Sequence, residues 1–369
     1  MLFLGCTYAG HKTRFANLRR HVATDERIEP TFRPVEGWND NGLIERMTWA
    51  PKPVRGRARA VVSARAFAAI PRPDVLWSAA SEVLLPHLWA QTGPLSRPLI
   101  LDLDWTLAQQ EELAPIYFGR EPKKGLRRTF AEMQERAVFS RVSLFTPWSR
   151  WAADGLRERG VEERRIVELP PGIDLDEWQP RPELSAPGEP GPLRVLFVGG
   201  DFARKGGEIL LEVAAAMKDE IVVDIVTRDD VSPRPGVRVH RAEANTPELH
   251  ALYASADIFV LPTRAECFGI ATIEAMASAL PVIVGDVGGA RSIVSDGVNG
   301  WLIRPNAEGL AGALREALAN RPRLIEMGAA GRRRAERSFD GSRNDNAIVE
   351  LALSLASGSP VLTPAESRI

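Results

Sequence analysis

The chain has 369 residues, 44% of them hydrophobic and 26% charged, with a formal net charge of −1. That balance excludes an intrinsically disordered chain, which lacks the apolar surface to offset its ordering entropy, and the length exceeds one ordinary core, so two domains are expected. No apolar run approaches the roughly 18 to 20 residues that span a bilayer. The start, MLFLGCTYAGHKTR, has too short an apolar run before Gly5 for a secretory signal, so a cytoplasmic protein is expected. The two cysteines, Cys6 and Cys267, fall in different halves, leaving neither a disulfide scaffold nor a thiolate metal cluster; small-residue packing is their expected role.

In chain order, MLFLG, DVLWSAA, PLILDLD, SLFTP and RRIVELP read as strands of the first half, with helical patterns between them. Asp102 and Asp104 spell a D-x-D, but they close a strand with no third ligand in view, so no metal is expected. The histidines His11, His21, His87, His240 and His250 show no ligand spacing. The first-half tryptophans Trp38, Trp49, Trp77, Trp89 and Trp105 invite a sugar-stacking role, although large aromatics mostly fill cores.

Two stretches are strongly basic. One holds Arg46, Lys52, Arg55, Arg57, Arg59, Arg65 and Arg72 with no acid before Asp74; the other holds Arg120, Lys123, Lys124, Arg127 and Arg128. Either a solvated arginine-rich face or a patch that steers an anionic partner would look like this, so peripheral contact at the inner membrane stays open. A nucleic-acid partner rests on nothing else and is not expected.

Proline and glycine crowd RPELSAPGEPGP, a linker over residues 181–192. Beyond it LRVLFVGG, EIVVDIVT, GVRVH, DIFVLPT, PVIVG and VNGWLI read as strands, alternating with helical segments such as EILLEVAAAM, PELHALYASA and ATIEAMASA. Short apolar runs alternating with amphipathic helices predict a parallel sheet covered on both faces, with ligands at the carboxyl ends of the strands.

Two such ends carry chemistry. After LRVLFV come Gly199 and Gly200, then Arg204 and Lys205 before a glycine pair and a helix: small residues for close backbone approach and two cations beside a helix N-terminus, a seat for a diphosphate. After DIFVLPT the loop carries Arg264, Glu266, Phe268 and Gly269, and a helix begins near Ile270. First-turn N–H groups at Gly269, Ile270 and Ala271 suit phosphate oxygens, and Glu266 and Glu274 can take vicinal hydroxyls on either side.

With these motifs the chain resembles a retaining glycosyltransferase of the GT-B fold, family 4 type (glycosyl transferases group 1). The resemblance is carried by E-x-F-G-x-x-x-x-E at Glu266, Phe268, Gly269 and Glu274, by Val198, Gly199, Lys205 and Gly206, and by ADIFVLPT, ALPVIVGDVGGARSIVSDGVNGWLI and PPGID. It covers most of Leu193 to Phe339 and is looser in the first half, where it rests on PWSRWAADGL and PPGID.

The resemblance implies an α/β protein of two doubly wound, Rossmann-like domains facing across a cleft, with a C-terminal helix returning to the first. The expected division is an acceptor-side domain over 1–180, the linker, a nucleotide-sugar donor domain over 193–340, a terminal helix over 341–357 on the first domain, and a tail over 358–369. It implies transfer of a sugar from a UDP or GDP donor to an unidentified acceptor, with retention and with neither metal nor cofactor. Arg204 and Lys205 would neutralise the departing diphosphate and Glu266 hold the transferred sugar. Phe268, Gly269, Ile270 and Ala271 would offer backbone donors beside Gly199 and Gly200, and Glu274 would bind ribose.

In the first domain the family's glycine-containing loop corresponds to TYAGHKTR, with Gly10, His11 and Lys12 as candidate contacts. Asp104 stands where relatives place an inner-strand histidine. Family members often carry arginine where this chain has Gly200, with Arg204 the nearest replacement. The alternatives are an inactive nucleotide-sugar-binding protein on the same fold, or an epimerase or phosphorylase of that architecture, for which no acid–base or cofactor motif is evident.

Overall fold

The computed structural model describes residues 1–6, 9–35, 46–47, 73–79, 97–180, 191–232 and 234–359. Trp38, Trp49, Trp89, His87, the basic residues Lys52, Arg55, Arg57, Arg59, Arg65 and Arg72, the linker residues 181–190, the tail from 360 and the Cys6 side chain lie outside the described residues. The described chain forms two units: Met1–Glu112, Glu121–Gly172 and Gly341–Ile369 make the first, and Leu113–Arg120 with Ile173–Asp340 the second.

In the first unit β1 (Leu2–Cys6), β2 (Thr31–Val35), β3 (Leu76–Ala79), β4 (Leu99–Leu103) and β5 (Leu144–Pro147) form one sheet in the order β2-β1-β3-β4-β5. All its pairings are parallel, with Leu2 facing Thr31 on one side and Leu76 on the other. Its strands are apolar at successive positions because both faces are covered. Phe3, Trp77, Ile100 and Leu144 pack with Phe15 and Leu18 of α1 (Ala9–Val22) and with Ile348 and Val349 of α11 (Gly341–Ser357). On the other face Leu2, Leu4, Leu76 and Leu101 pack with Val138 and Phe139 of α3 (Gly125–Phe139) and Leu156 of α4 (Arg150–Glu158).

Three expectations are corrected here. RRIVELP begins in a 3₁₀ turn at Glu163–Arg165 and then runs along β5 through one bridge, Ile166 to Phe145, with Val167 N–H to the Phe145 carbonyl and Leu169 N–H to the Pro147 carbonyl, short of a full strand. The region expected as a glycine loop is helical from Ala9, which puts Gly10, His11 and Lys12 in the first turn of α1. Trp77 is fully buried and stacked on Phe15 at 6.5 Å, so it serves the core and no sugar. The sequence reading also missed β2, whose Arg33 and Pro34 break any apolar pattern.

In the second unit β6 (Leu193–Val198), β7 (Ile221–Val226), β8 (Val237–His240), β9 (Ile258–Leu261), β10 (Val282–Gly285) and β11 (Gly300–Ile303) form a parallel sheet in the order β11-β10-β9-β6-β7-β8. The helices are α5 (Gly207–Ala216), α6 (Pro247–Ser255), α7 (Ile270–Ala277), α8 (Ala290–Ile293), α9 (Ala307–Ala319) and α10 (Arg321–Ser338). Helix α2 (Leu107–Phe118) runs from the first unit's residues into the segment counted with the second.

The chain builds outward from β6 through β7 to β8, then returns to the other side through β9, β10 and β11. The reversal falls between β6 and β9. At such a point neighbouring crossovers lie on opposite faces and leave a crevice at the carboxyl ends of the strands.

Candidate active site at the ends of β6 and β9

Adjacency of β6 and β9 brings together two loops that lie some sixty residues apart in sequence. The loop after β6 carries Arg204 and Lys205; the loop after β9 carries Glu266 and leads into α7. They are tied by Arg264 N–H to the Arg204 carbonyl at 3.0 Å and by the Thr263 hydroxyl to the same carbonyl at 3.3 Å. Gly206 caps α5 at φ +82, and a Cβ there would lie 2.1 Å from the Pro262 carbonyl oxygen. Only glycine allows so close an approach, and that approach sets Lys205 beside Glu266.

The Lys205 ammonium donates to Glu266 Oε2 as an ion pair. Arg204 is held three ways: Nε donates to Asp201 Oδ2 at 2.9 Å, Nη1 donates to the Ala265 carbonyl at 2.9 Å, and the guanidinium lies 4.3 Å from the Tyr117 ring centroid. The Tyr117 hydroxyl lies 3.3 Å from Cys267 Sγ, so the expected packing cysteine also touches this site. Burial, with Glu266 close by, pushes the Tyr117 phenol up and keeps it neutral.

Gly269 caps α7 at φ +98, and no side chain caps the helix, so its first-turn donors are presented at the positive end of the dipole. Phe268 is buried edge-on against Phe339 at 5.9 Å, which leaves its backbone, rather than its ring, as the usable part. Ile270 and Ala271 are partly buried in the first turn. One turn on, Glu274 is buried with Oε2 3.1 Å from the Tyr253 hydroxyl. Burial lifts its carboxyl from 4.5 to about 7, with the Tyr253 hydrogen bond pulling the other way. Tyr253, on α6, escaped the sequence reading: nothing in PELHALYASA separates a tyrosine that reaches a carboxylate from one that fills a core.

Gly199 is buried against Phe197 and Lys205, whereas Gly200 is exposed and has nothing within 4 Å of where a Cβ would stand. Its backbone therefore does not demand glycine. The structure thus groups Gly199, Gly200, Arg204, Lys205, Glu266, Phe268, Gly269, Ile270, Ala271 and Glu274 at one edge of one sheet.

The remaining candidates belong to the first unit. His11 Nε2 lies 3.3 Å from Asp104 Oδ2 and its ring packs on Trp148 at 4.6 Å, so two residues read separately from sequence meet; Lys12 is exposed and Gly10 partly buried. Asp102 points elsewhere. It is buried and accepts from Trp148 Nε1 at 2.6 Å and Thr146 Oγ1 at 2.8 Å, with Arg14 Nε at 3.7 Å, so its oxygens are engaged in the fold.

Two doubly wound parallel units, the second with its charged site at the strand reversal, define the GT-B class of α/β fold. Residues 192–320 match the family model for glycosyl transferases group 1, and the chain carries a domain of that family there. The chain is 31% identical over 307 residues to D-inositol 3-phosphate glycosyltransferase of Geodermatophilus obscurus, covering 73% of this chain and 65% of that protein. It is 27% identical over 268 residues to the MMP alpha-(1->4)-mannosyltransferase of Mycolicibacterium hassiacum, covering 68% and 63%. The chain therefore spans less than two thirds of the length of these relatives. Among solved structures, sucrose-phosphate synthase from Thermosynechococcus elongatus superposes with a TM-score of 0.75 at 19% identity, covering 97% of this chain and 99% of that one. Anabaena HepE in complex with UDP and glucose does so at 0.67 and 15%, covering 96% and 99%.

Proposed function

We propose that the protein is a retaining, metal-independent glycosyltransferase that moves a hexosyl group from a nucleotide-diphosphate sugar, with UDP or GDP as leaving group, to a hydroxyl acceptor. The observation that carries this reading is the meeting of Arg204, Lys205, Glu266 and the uncapped start of α7 at the β6–β9 reversal. The relatives' names support sugar transfer, and the HepE complex supports a UDP-type donor on this fold.

Each group has a chemical part in that reading. As the bond from C1 of the sugar to the diphosphate oxygen breaks, charge grows on the diphosphate. In this reading Lys205, Arg204 and the N–H groups at Gly269–Ala271 meet it, and preorganised charges of this kind act most strongly on the transition state. Lys205 and Glu266 form an ion pair. A bound sugar offers Glu266 hydroxyl donors instead, which frees Lys205 for phosphate. Glu274, supported by Tyr253, takes the vicinal hydroxyls of ribose. The acceptor oxygen attacks on the face the diphosphate leaves, and its proton passes to a diphosphate oxygen, so no protein nucleophile is assigned.

His11 and Asp104 are assigned to the acceptor side, with Gly10 and Lys12 beside them on α1. The activity is placed in the cytoplasm with peripheral contact to the inner membrane. A phosphorylated polyol is the first acceptor to try, since relatives are named for inositol 3-phosphate. The test is incubation with UDP- and GDP-hexoses and such acceptors, with product mass and anomeric proton coupling read by mass spectrometry and NMR. A product of unchanged anomeric configuration supports the reading. An inverted product, or donor binding with no transfer to any acceptor, contradicts it.

A further inference from the structure

Helix α3 carries an apolar stripe that the fold does not use. Leu126, Phe130 and Met133, at i, i+4 and i+7, are 88%, 56% and 57% exposed. Spacing of this kind puts three side chains on one face of a helix. Ala137 continues that face and is exposed too. The residues of α3 that reach the core are Val138 and Phe139, which lie on its opposite side. A soluble helix with one packed face normally turns polar residues outward. Here the outward face holds the three largest apolar side chains ahead of the core contact, and a contiguous exposed apolar patch marks a contact surface.

The charges around the stripe say what kind of surface it meets. Lys123 and Lys124 precede the helix, Arg127 and Arg128 follow Leu126 in its first turn, and Arg136 follows Met133. Arg127, Arg128 and Arg136 are exposed. The acids nearby each have a basic or backbone partner within the unit: Glu111 with Lys123 at 2.7 Å, Glu121 with Lys124 at 3.8 Å, Glu132 with Arg128 at 2.9 Å, and Glu135 with Arg159 at 3.3 Å and the Leu107 N–H. An apolar stripe rimmed by basic residues is the pattern of a helix lying in the headgroup layer of an anionic bilayer, where apolar insertion and attraction to acidic lipids add. No described helix is long and apolar enough to cross a membrane.

We propose that α3 is a membrane-docking helix that inserts Leu126, Phe130 and Met133 into the headgroup region of an anionic phospholipid bilayer. This gives a surface to the membrane contact named in the function above and rests on that reading only there; docking needs neither the donor site nor turnover. The stripe lies in the same unit as His11 and Asp104, so docking would hold that unit at the lipid surface.

The test is cosedimentation of the full chain with phosphatidylcholine vesicles and with vesicles containing phosphatidylglycerol, with UDP and GDP thermal shifts measured on the same preparations. Wild type is expected to bind the anionic vesicles and not the neutral ones, and to release as salt is raised. A Leu126→Ser/Phe130→Ser/Met133→Ser variant is expected to lose at least about tenfold in vesicle affinity, with its circular dichroism and nucleotide response unchanged, since these side chains face solvent. Arg127→Glu/Arg128→Glu is expected to lose the preference for anionic vesicles. Binding that ignores the triple substitution overturns the proposal. So does self-association, or capture by another protein, that the triple substitution abolishes while vesicles never bind. If nucleotides fail to bind but vesicle docking behaves as described, the donor-site reading falls and this one stands.

Discussion

At the residue scale three positions, Lys205, Glu274 and Gly200, test the site directly. Lys205 pairs with Glu266 and is proposed to meet the donor diphosphate. Replacing Lys205 by Ala is expected to lower kcat by roughly a hundredfold or more, the cost of losing one preorganised charge, with a smaller effect on KM; steady-state kinetics check it. Glu274 gives a pH signature. Its carboxyl is raised by burial to about 7 in the fold against 4.5 for the free group. The folded state therefore binds that proton more tightly than the unfolded one. Its contribution to stability is full below about 4.5 and is lost as pH rises through about 7. The ionised form is the better acceptor for ribose hydroxyls, so nucleotide affinity is expected to rise between pH 6 and 8 while stability falls, and Glu274→Gln is expected to flatten both profiles. Calorimetric titration and thermal melts across that range decide; an affinity that falls with pH would contradict the role. Gly200 tests the arginine shift: with open space at its Cβ position, Gly200→Arg is expected to fold normally and to relieve part of the defect of Arg204→Ala.

At the scale of elements, the placement of the site depends on the close approach of the β6 and β9 loops at Gly206. Gly206→Ala forces a Cβ toward the Pro262 carbonyl oxygen at φ +82. It is expected to cost about 2 kcal/mol or more in urea unfolding, and activity should drop even where the protein stays folded. Much of this was readable in advance. LRVLFV and DIFVLPT are short buried runs ended by glycine or proline, and the glutamates of the second loop stand at fixed spacing from a helix start. Other parts were not readable. β2 contains Arg33 and Pro34 and is held as a strand by pairing with β1, a tertiary fact. RRIVELP has the apolar content of a strand but makes one bridge. The start of α1 could not be read as helix from TYAGHKTR, where a family loop was the nearer guide.

At the scale of the whole molecule, the first unit is closed by contacts that no local pattern announces. Arg14 of α1 is fully buried and paired with Asp345 of α11, 331 positions away, with Asp102 of β4 alongside and His21 Nδ1 2.7 Å from the same Asp345 carboxylate. A buried charge set of this kind is strongly destabilised when one member is removed, because its partners stay desolvated. Arg14→Leu is expected to cost about 3 to 5 kcal/mol, and adding Asp345→Leu is expected to recover part of that loss; denaturant melts of both variants give the answer. The cluster explains why residues 341–357 belong to the first unit's core even though the chain reaches them only after the whole second unit.

The β6–β9 reversal is proposed to bind a nucleotide diphosphate through Lys205 and Glu274. Thermal shift with UDP, GDP and ADP and their hexose conjugates, on wild type, Lys205→Ala and Glu274→Ala, tests it most directly. One nucleotide series is expected to raise the melting temperature of wild type, with the response reduced in both variants. No response from any nucleotide, or a response that survives both substitutions unchanged, would contradict it.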